Sequence, residues 1–324
     1  VRQALARGRQ ETLGHPDGLH PGSLLARRLI DEATQRIAAL VGGAAGDVVH
    51  TSGGTEANRL GLRALLGGRV VVGATEHDAV LAPLRAWAAE GRCEVDVLPV
   101  DADGRHDLDA LRAKLPGATG LALMAANHET GVLTDLASVA DLVADAGVPW
   151  HCDAVQAAGK LPLDVGALPV QSVALASHKL GGPPGVGAVL TRVPVSRPGT
   201  LDAVAVSAFG LAATSATEGD RGLRDALEAA LPGHVCGAGA PRLWNTSFVV
   251  FDGRDGRELV EDLAFRGVAA GTGAACATGR PSRVLMAMGY DAEAASSAVR
   301  FSLGPSTTRE QVATAAEAMR QILG

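Results

Sequence analysis

The chain has 324 residues, 47% of them hydrophobic, with 29 Lys plus Arg against 35 Asp plus Glu and a net charge of -6. That length can bury a large core and suits two domains, while dispersed arginines and 3% aromatics leave neither a basic run nor a stacking platform, so no nucleic-acid partner is expected. No apolar stretch reaches the roughly 18 residues of a membrane span and no signal peptide is visible; four separated cysteines without a Cys-x-x-Cys pair indicate neither a metal site nor a disulfide framework, and a cytoplasmic, reducing compartment is expected.

Residues 1–10 read as helix, and a polar link from Gly14 to Gly22 leads into a second helix from about Ser23 to Val41, with Leu25, Leu29, Ile30, Ala33, Ile37 and Leu40 at helical spacing. Short apolar runs follow at Val48 to Thr51, Val70 to Ala74, Val95 to Val100, Leu121 to Ala125, Val148 to Cys152, Val173 to Ala176 and Gly187 to Leu190. Helical patterns at Ala79 to Glu90 and Leu136 to Ala146 separate several of them. Uninterrupted apolar runs alternating with helices predict an α/β fold with a seven-stranded, mostly parallel sheet covered on both faces. The last run follows too closely for a helical crossover, so it is predicted antiparallel to its predecessor. From about Gly210 the rhythm changes to helices at Arg221 to Leu231, Glu258 to Arg266, Pro281 to Met288 and Arg309 to Leu323 around strands at Thr246 to Phe251 and Val299 to Leu303. The expected division is a large α/β domain over residues 1–209 and a smaller α+β domain over 210–324.

Lysine is scarce here: Lys114, Lys160 and Lys179 are the whole set, and arginine supplies the remaining basic charge. Lys179 ends an apolar run and precedes the turn Gly181-Gly182-Pro183-Pro184-Gly185-Val186-Gly187, a placement that brings an amine to the rim of a sheet. Unlike a guanidinium, a desolvated lysine loses its proton and forms Schiff bases. Ligands in open α/β sheets sit beyond the carboxyl ends of strands, and those ends carry Thr51 to Asn58, Glu76-His77, Asn127 to Gly131, Asp153 with Gln156, and His178-Lys179. The first is a small-residue turn entering a helix, and the free amides of such a turn suit a phosphate. A phosphate cradle around Gly54 and Thr55, an aspartate, an imidazole and a lysine are the parts needed to hold pyridoxal 5'-phosphate. His77 could stack on its ring, while Asn127 and Gln156 could bond its phenolic oxygen. Taken singly, each also reads as a core histidine, a turn asparagine or a capping residue; their joint placement is the signal.

These stretches, with Gly159-Lys160-Leu161-Pro162, Thr272 to Cys276 and Val299 to Gly304, resemble the cysteine desulfurases of the class V aminotransferase branch of fold-type I pyridoxal phosphate enzymes. The resemblance implies an internal aldimine on Lys179, with Asp153 paired to the ring nitrogen, His77 stacked and active in acid/base steps, and Gln156 at the phenolic oxygen. Thr55, Ser177 and His178 would hold the phosphate, and Arg300 with Asn127 would bind the substrate carboxylate. Cys276 would take sulfur from L-cysteine as a persulfide and pass it to an acceptor protein that the sequence does not identify. Family members are homodimers, in which a threonine like Thr200 reaches the partner's phosphate.

The glycine-rich flanks of Cys276 mark it as the loop thiol, whereas Cys93, Cys152 and Cys236 read as small buried hydrophobes. Pro194 to Pro198 and Cys276 to Pro281 are shorter than the matching family stretches, and Ala176 stands where many members carry a phosphate-binding serine. Two alternatives stay open on the residues alone: a selenocysteine lyase or transaminase that does not need Cys276, and a sulfur-relay scaffold that retains the fold without turnover.

Overall fold

A computed structural model describes residues 1–8, 13–196, 199–273 and 280–324. The first part of the chain runs α1 (Arg2–Gly8), α2 (Pro21–Leu40), β1 (Val48–Thr51), α3 (Gly54–Leu62), β2 (Arg69–Gly73), α4 (Asp78–Ala89) and β3 (Glu94–Leu98). It continues through α5 (Leu108–Lys114), β4 (Gly120–Ala122), α6 (Leu136–Ala146), β5 (Trp150–Asp153), β6 (Val170–Ala176), β7 (Gly187–Thr191) and α7 (Ala203–Ser215). Among the described residues β1 to β7 form one seven-stranded sheet in the order β1-β7-β6-β5-β4-β2-β3. Only β7 runs against its neighbours, pairing antiparallel with both β6 and β1, so the other six strands bring their carboxyl ends to one rim.

The runs of the inner strands are largely apolar because both faces are covered there; edge strand β3 alternates polar and apolar residues, with Glu94 and Val97 exposed. Along β2, Val71 packs into one core while Val70 and Val72 pack into the other, and in β4 Leu121 and Ala122 divide the same way. This is the period-two consequence of a pleated strand with no solvent face. Most helices start on a side-chain cap: His77 for α4, Asp107 for α5, Asp135 for α6 and Asp202 for α7 each accept a backbone amide of the first turn. Helix α7 is apolar all round and lies against α2, where Gly210 meets the backbone of Ala33.

The second part folds as α8 (Arg221–Ala230), β8 (His234–Val235), β9 (Thr246–Val250), α9 (Gly256–Phe265), α10 (Arg283–Ala287), α11 (Ala292–Ser296), β10 (Ala298–Ser302) and α12 (Arg309–Leu323). Its antiparallel sheet has the order β10-β9-β8. Val249 and Phe251 join a core with α8, α9 and α12, while Phe248 and Val250 join another with α10 and α11, so this sheet too is covered on both faces. The 209/210 division falls within α7, whose Phe209 and Ala213 both belong to the large core; we propose the end of that helix as the domain boundary. Among the described residues no helix is long and apolar enough to cross a membrane.

Candidate active site

A cavity of about 280 Å³ opens at the carboxyl rim of the large sheet. Its walls include Gly54 and Thr55 after β1, His77 after β2, Asp153 and Gln156 after β5, and His178 and Lys179 after β6. Arg300 enters from β10, so one wall belongs to the second part of the chain.

Lys179 sits in a 3-10 turn, Ser177–Leu180, that ends on Gly181 in the left-handed region, φ 78°. Burial lowers its pKa below that of an ordinary lysine; Arg300 adds to the effect and Asp153 opposes it, so the nucleophilic neutral amine is more accessible than in an exposed lysine. Asp153 is buried, and burial pushes its carboxyl up, against donors that favour the ion: the Val155 amide to Oδ1 at 2.9 Å and the Asn58 amide to Oδ2 at 2.7 Å. His77 caps α4, accepting the Ala79 amide on Nδ1 at 3.0 Å, which leaves the proton of the neutral ring on Nε2. His128, buried in the same wall, meets the His77 ring edge-on at 4.8 Å between centroids. Its pKa is held well below 6.5 by burial, with the charges of His77, Arg300, Arg283 and Lys179 acting in the same direction. Behind them Glu76 accepts the Met124 amide at 2.6 Å, and burial followed by the Asp153 charge raises its carboxyl well above the usual range.

Arg300 donates through Nη1 to the His128 carbonyl at 2.8 Å, and its backbone pairs with Gly271. The remaining guanidinium donors are available for a carboxylate in the cavity. Gly273, two residues further along the same stretch, lines the cavity, and Ser282 donates its hydroxyl to Glu129. Cys276 lies outside the described residues.

Three expected site residues lie outside this cavity wall, one of them, Thr200, expected at a second copy's phosphate. Asn127 is 5% exposed and its side chain folds its own turn, accepting the Glu129 and Thr130 amides at 2.9 and 3.0 Å and donating to the Thr75 carbonyl at 3.1 Å; it is not in the cavity wall. Ser177 is fully buried with an unpartnered Oγ, also outside the wall. Thr200 is exposed and hydrogen-bonded to His15 at 3.1 Å, in a separate surface hollow. Conversely, Asn58, Met124, Ala126, His128 and Val155 line the cavity without having been assigned a role. Asn58 and His128 stand inside motifs already recognised, and that adjacency was the available signal. The three other cysteines are buried, and burial raises each thiol, Cys236 to about 12.

An α/β sheet with a lysine, an aspartate and an imidazole gathered at its carboxyl rim is the arrangement of a fold-type I enzyme, the class to which its relatives point. The Aminotransferase class-V family matches residues 9–197. An IscS-like cysteine desulfurase of Mycobacterium tuberculosis is 35% identical over 351 aligned residues, covering 96% of this chain and 89% of the relative. A cysteine desulfurase of Cereibacter sphaeroides is 36% identical, covering 96% and 88%. The solved NifS-like protein of Rickettsia africae has the same fold, with a TM-score of 0.89 at 24% identity over 99% of this chain and 95% of that one. The chain belongs to the class-V aminotransferases, within their cysteine desulfurase branch.

The family's cofactor is pyridoxal 5'-phosphate, and the residues present fit it. Helix α3 opens without a side-chain cap, and its first residues, Gly54 and Thr55, line the cavity, leaving amide donors for a phosphate. A Cβ at Gly54 would lie 2.9 Å from Val155 and 3.3 Å from Ala176, so glycine is what lets the helix begin so close to the wall. The Asp153 carboxyl held by two N–H donors, a lysine amine with lowered pKa and the His77 imidazole complete the set of groups the cofactor needs.

Proposed function

We propose that this chain converts L-cysteine to L-alanine, with Lys179 carrying pyridoxal 5'-phosphate and Cys276 taking the sulfur. The observation that carries this reading is one cavity shared by Lys179, Asp153, His77 and Arg300 whose wall includes Gly273. Cys276 follows Gly273 by three residues, a spacing that allows at most about 11 Å between their Cα atoms.

When bound, the cofactor supplies an electrophilic carbon for amine attachment and an electron-accepting ring that stabilises negative charge at the substrate's Cα. Asp153 would face the ring nitrogen and hold its proton in place. His77 would lie against the ring with Nε2–H as donor. Gln156 would donate to the phenolic oxygen, since its Oε1 is already taken by Lys160 Nζ at 2.9 Å. The α3 amides, Thr55 and His178 would hold the phosphate. Arg300 would fix the substrate carboxylate and with it the direction of the Cα–H bond towards Lys179. Lys179 Nζ, once released from the cofactor by the substrate amine, would take that proton and return one later.

The sulfur step conserves atoms. Cys276 attacks as a thiolate, its S–S bond forms as the substrate's Cβ–S bond breaks, and the carbon fragment keeps the electron pair and gains a proton. The sum is L-cysteine plus a protein thiol giving L-alanine plus a protein persulfide. A protein acceptor would then reduce the persulfide by taking the outer sulfur. Thr200, exposed and absent from this chain's own cavity, supports a homodimer in which that residue meets the second copy.

The test is alanine release from L-cysteine by the holoenzyme, with visible absorbance for the bound cofactor and mass spectrometry for the persulfide. Lys179→Ala is expected to abolish alanine formation, and Cys276→Ala to abolish the persulfide. Alanine formation at the normal rate by Lys179→Ala, or an unchanged persulfide in Cys276→Ala, overturns the assignment.

A further inference from the structure

Behind the cavity a file of buried polar side chains runs through the large domain. Asn58 on α3, His151 on β5 and Ser172 on β6 are each no more than 1% exposed. Asn58 Nδ2 donates to Asp153 Oδ2 at 2.7 Å, His151 Nε2 meets Asn58 Oδ1 at 2.8 Å, and Ser172 Oγ meets His151 Nδ1 at 2.8 Å.

With Asp153 ionised, chemistry fixes the direction of every proton in this file. An ionised Asp153 only accepts, so the Asn58 group facing it is the NH2 and the group facing His151 is the carbonyl. His151 must therefore carry its proton on Nε2. Burial drives its pKa down to about 3, so the ring is neutral and Nδ1 is an acceptor. The Ser172 hydroxyl supplies the matching donor. Removing that hydroxyl leaves Nδ1 buried without a partner and frees the ring to change tautomer; the Asn58 amide can then turn over and present its carbonyl to Asp153. The fit is tight: a Cβ at Gly61 would fall 2.3 Å from His151 Nδ1, so α3 approaches the imidazole this closely because residue 61 is glycine.

We propose that Asn58, His151 and Ser172 are positioning residues that hold Asp153 ionised and aimed, so that a hydroxyl on β6 which touches neither cofactor nor substrate sets how firmly Asp153 pairs with a protonated ring nitrogen. Such a network polarises along its length and loses more than one bond when an end is cut. This inference rests on the pyridoxal phosphate reading of the site.

The experiment follows the loss of pyridoxal 5'-phosphate from the holoenzyme after dilution, together with the position of its visible absorption band, with circular dichroism to confirm the fold. Ser172→Ala removes the distal hydroxyl, and Asn58→Leu removes the proximal donor at similar volume. Each is expected to release the cofactor about tenfold faster and to shift the band: Asn58→Leu removes a hydrogen bond to a charged group directly, and Ser172→Ala weakens the same bond through His151. In an Asp153→Asn background, Ser172→Ala is expected to change the release rate by less than about twofold, because the carboxylate it serves is gone. Release at the wild-type rate in both single variants overturns the proposal, as does an equal acceleration by Ser172→Ala in both backgrounds, which is the mark of simple packing damage. A wild-type protein that binds no pyridoxal phosphate overturns the reading of the site itself, a result separate from wild-type retention in Ser172→Ala.

Discussion

Lys160 Nζ clamps Gln156 twice, donating to its backbone carbonyl at 2.8 Å and to its side-chain Oε1 at 2.9 Å. The amide acceptor is thereby occupied and the NH2 is left as the end that faces a ligand, in a residue that lines the cavity. One of only three lysines is thus spent on orienting a neighbour.

Lys160→Met removes that clamp, and cofactor affinity, measured by titrating apoenzyme with pyridoxal 5'-phosphate, is expected to fall by about three- to tenfold. The variant also changes stability with pH. Burial first, then Lys179 and Arg300, lower the Lys160 pKa from 10.5 to about 7. Between those values the unfolded chain holds a proton that the folded one has released, so this residue makes stability rise as pH rises from about 7 towards 10.5. Urea midpoints at the two ends of that window are expected to differ less in Lys160→Met than in the wild type.

Arg300→Lys keeps the charge and loses the planar fork. Loss of a bidentate hold on a carboxylate is expected to lower kcat/KM for L-cysteine by about 10- to 100-fold, carried mainly by KM. Steady-state alanine formation measures it, and an unchanged KM would place the carboxylate elsewhere.

Cys276→Ser keeps size and polarity but cannot form a persulfide. Mass spectrometry after L-cysteine treatment is expected to find a protein one sulfur atom heavier in the wild type and no such species at that peptide in the variant. Cofactor absorbance is expected to be unchanged.

Gly210→Ala tests the helix pair that carries the large domain. Its Cβ would lie 2.6 Å from Ala33 Cα and 2.7 Å from Ala33 Cβ, backbone and near-backbone atoms that cannot rotate away. Separating α7 from α2 is expected to cost about 1–3 kcal/mol in urea unfolding. A gain in stability, as for an ordinary helical Gly→Ala change, would show that the helices part freely.

The sequence determined the elements whose burial is uniform. Seven runs became the seven strands; the central ones are largely apolar because a sheet covered on both faces has no solvent-facing position there, whereas edge strand β3 alternates polar and apolar residues and leaves Glu94 and Val97 exposed. It also determined which chemical groups stand at the rim, since a strand end followed by a turn places its next side chains there whatever the rest of the chain does. Short elements escaped: α11 has five residues and β8 two, too few for a period to register. Helix α7 escaped for the opposite reason, being apolar on every side with no stripe to read.

Tertiary structure alone decided which polar group meets which. Asn58 reaches Asp153 across 95 residues of sequence, while Asn127, two residues from the amide that it accepts, is consumed by its own turn. Ser177 stands inside a recognised motif, yet it does not line the cavity. The reason is physical. Hydrophobic burial is nearly directionless and leaves its period in the sequence, whereas a hydrogen bond needs a donor and an acceptor within about 3 Å at the right angle, and that meeting exists only once the strands are ordered side by side.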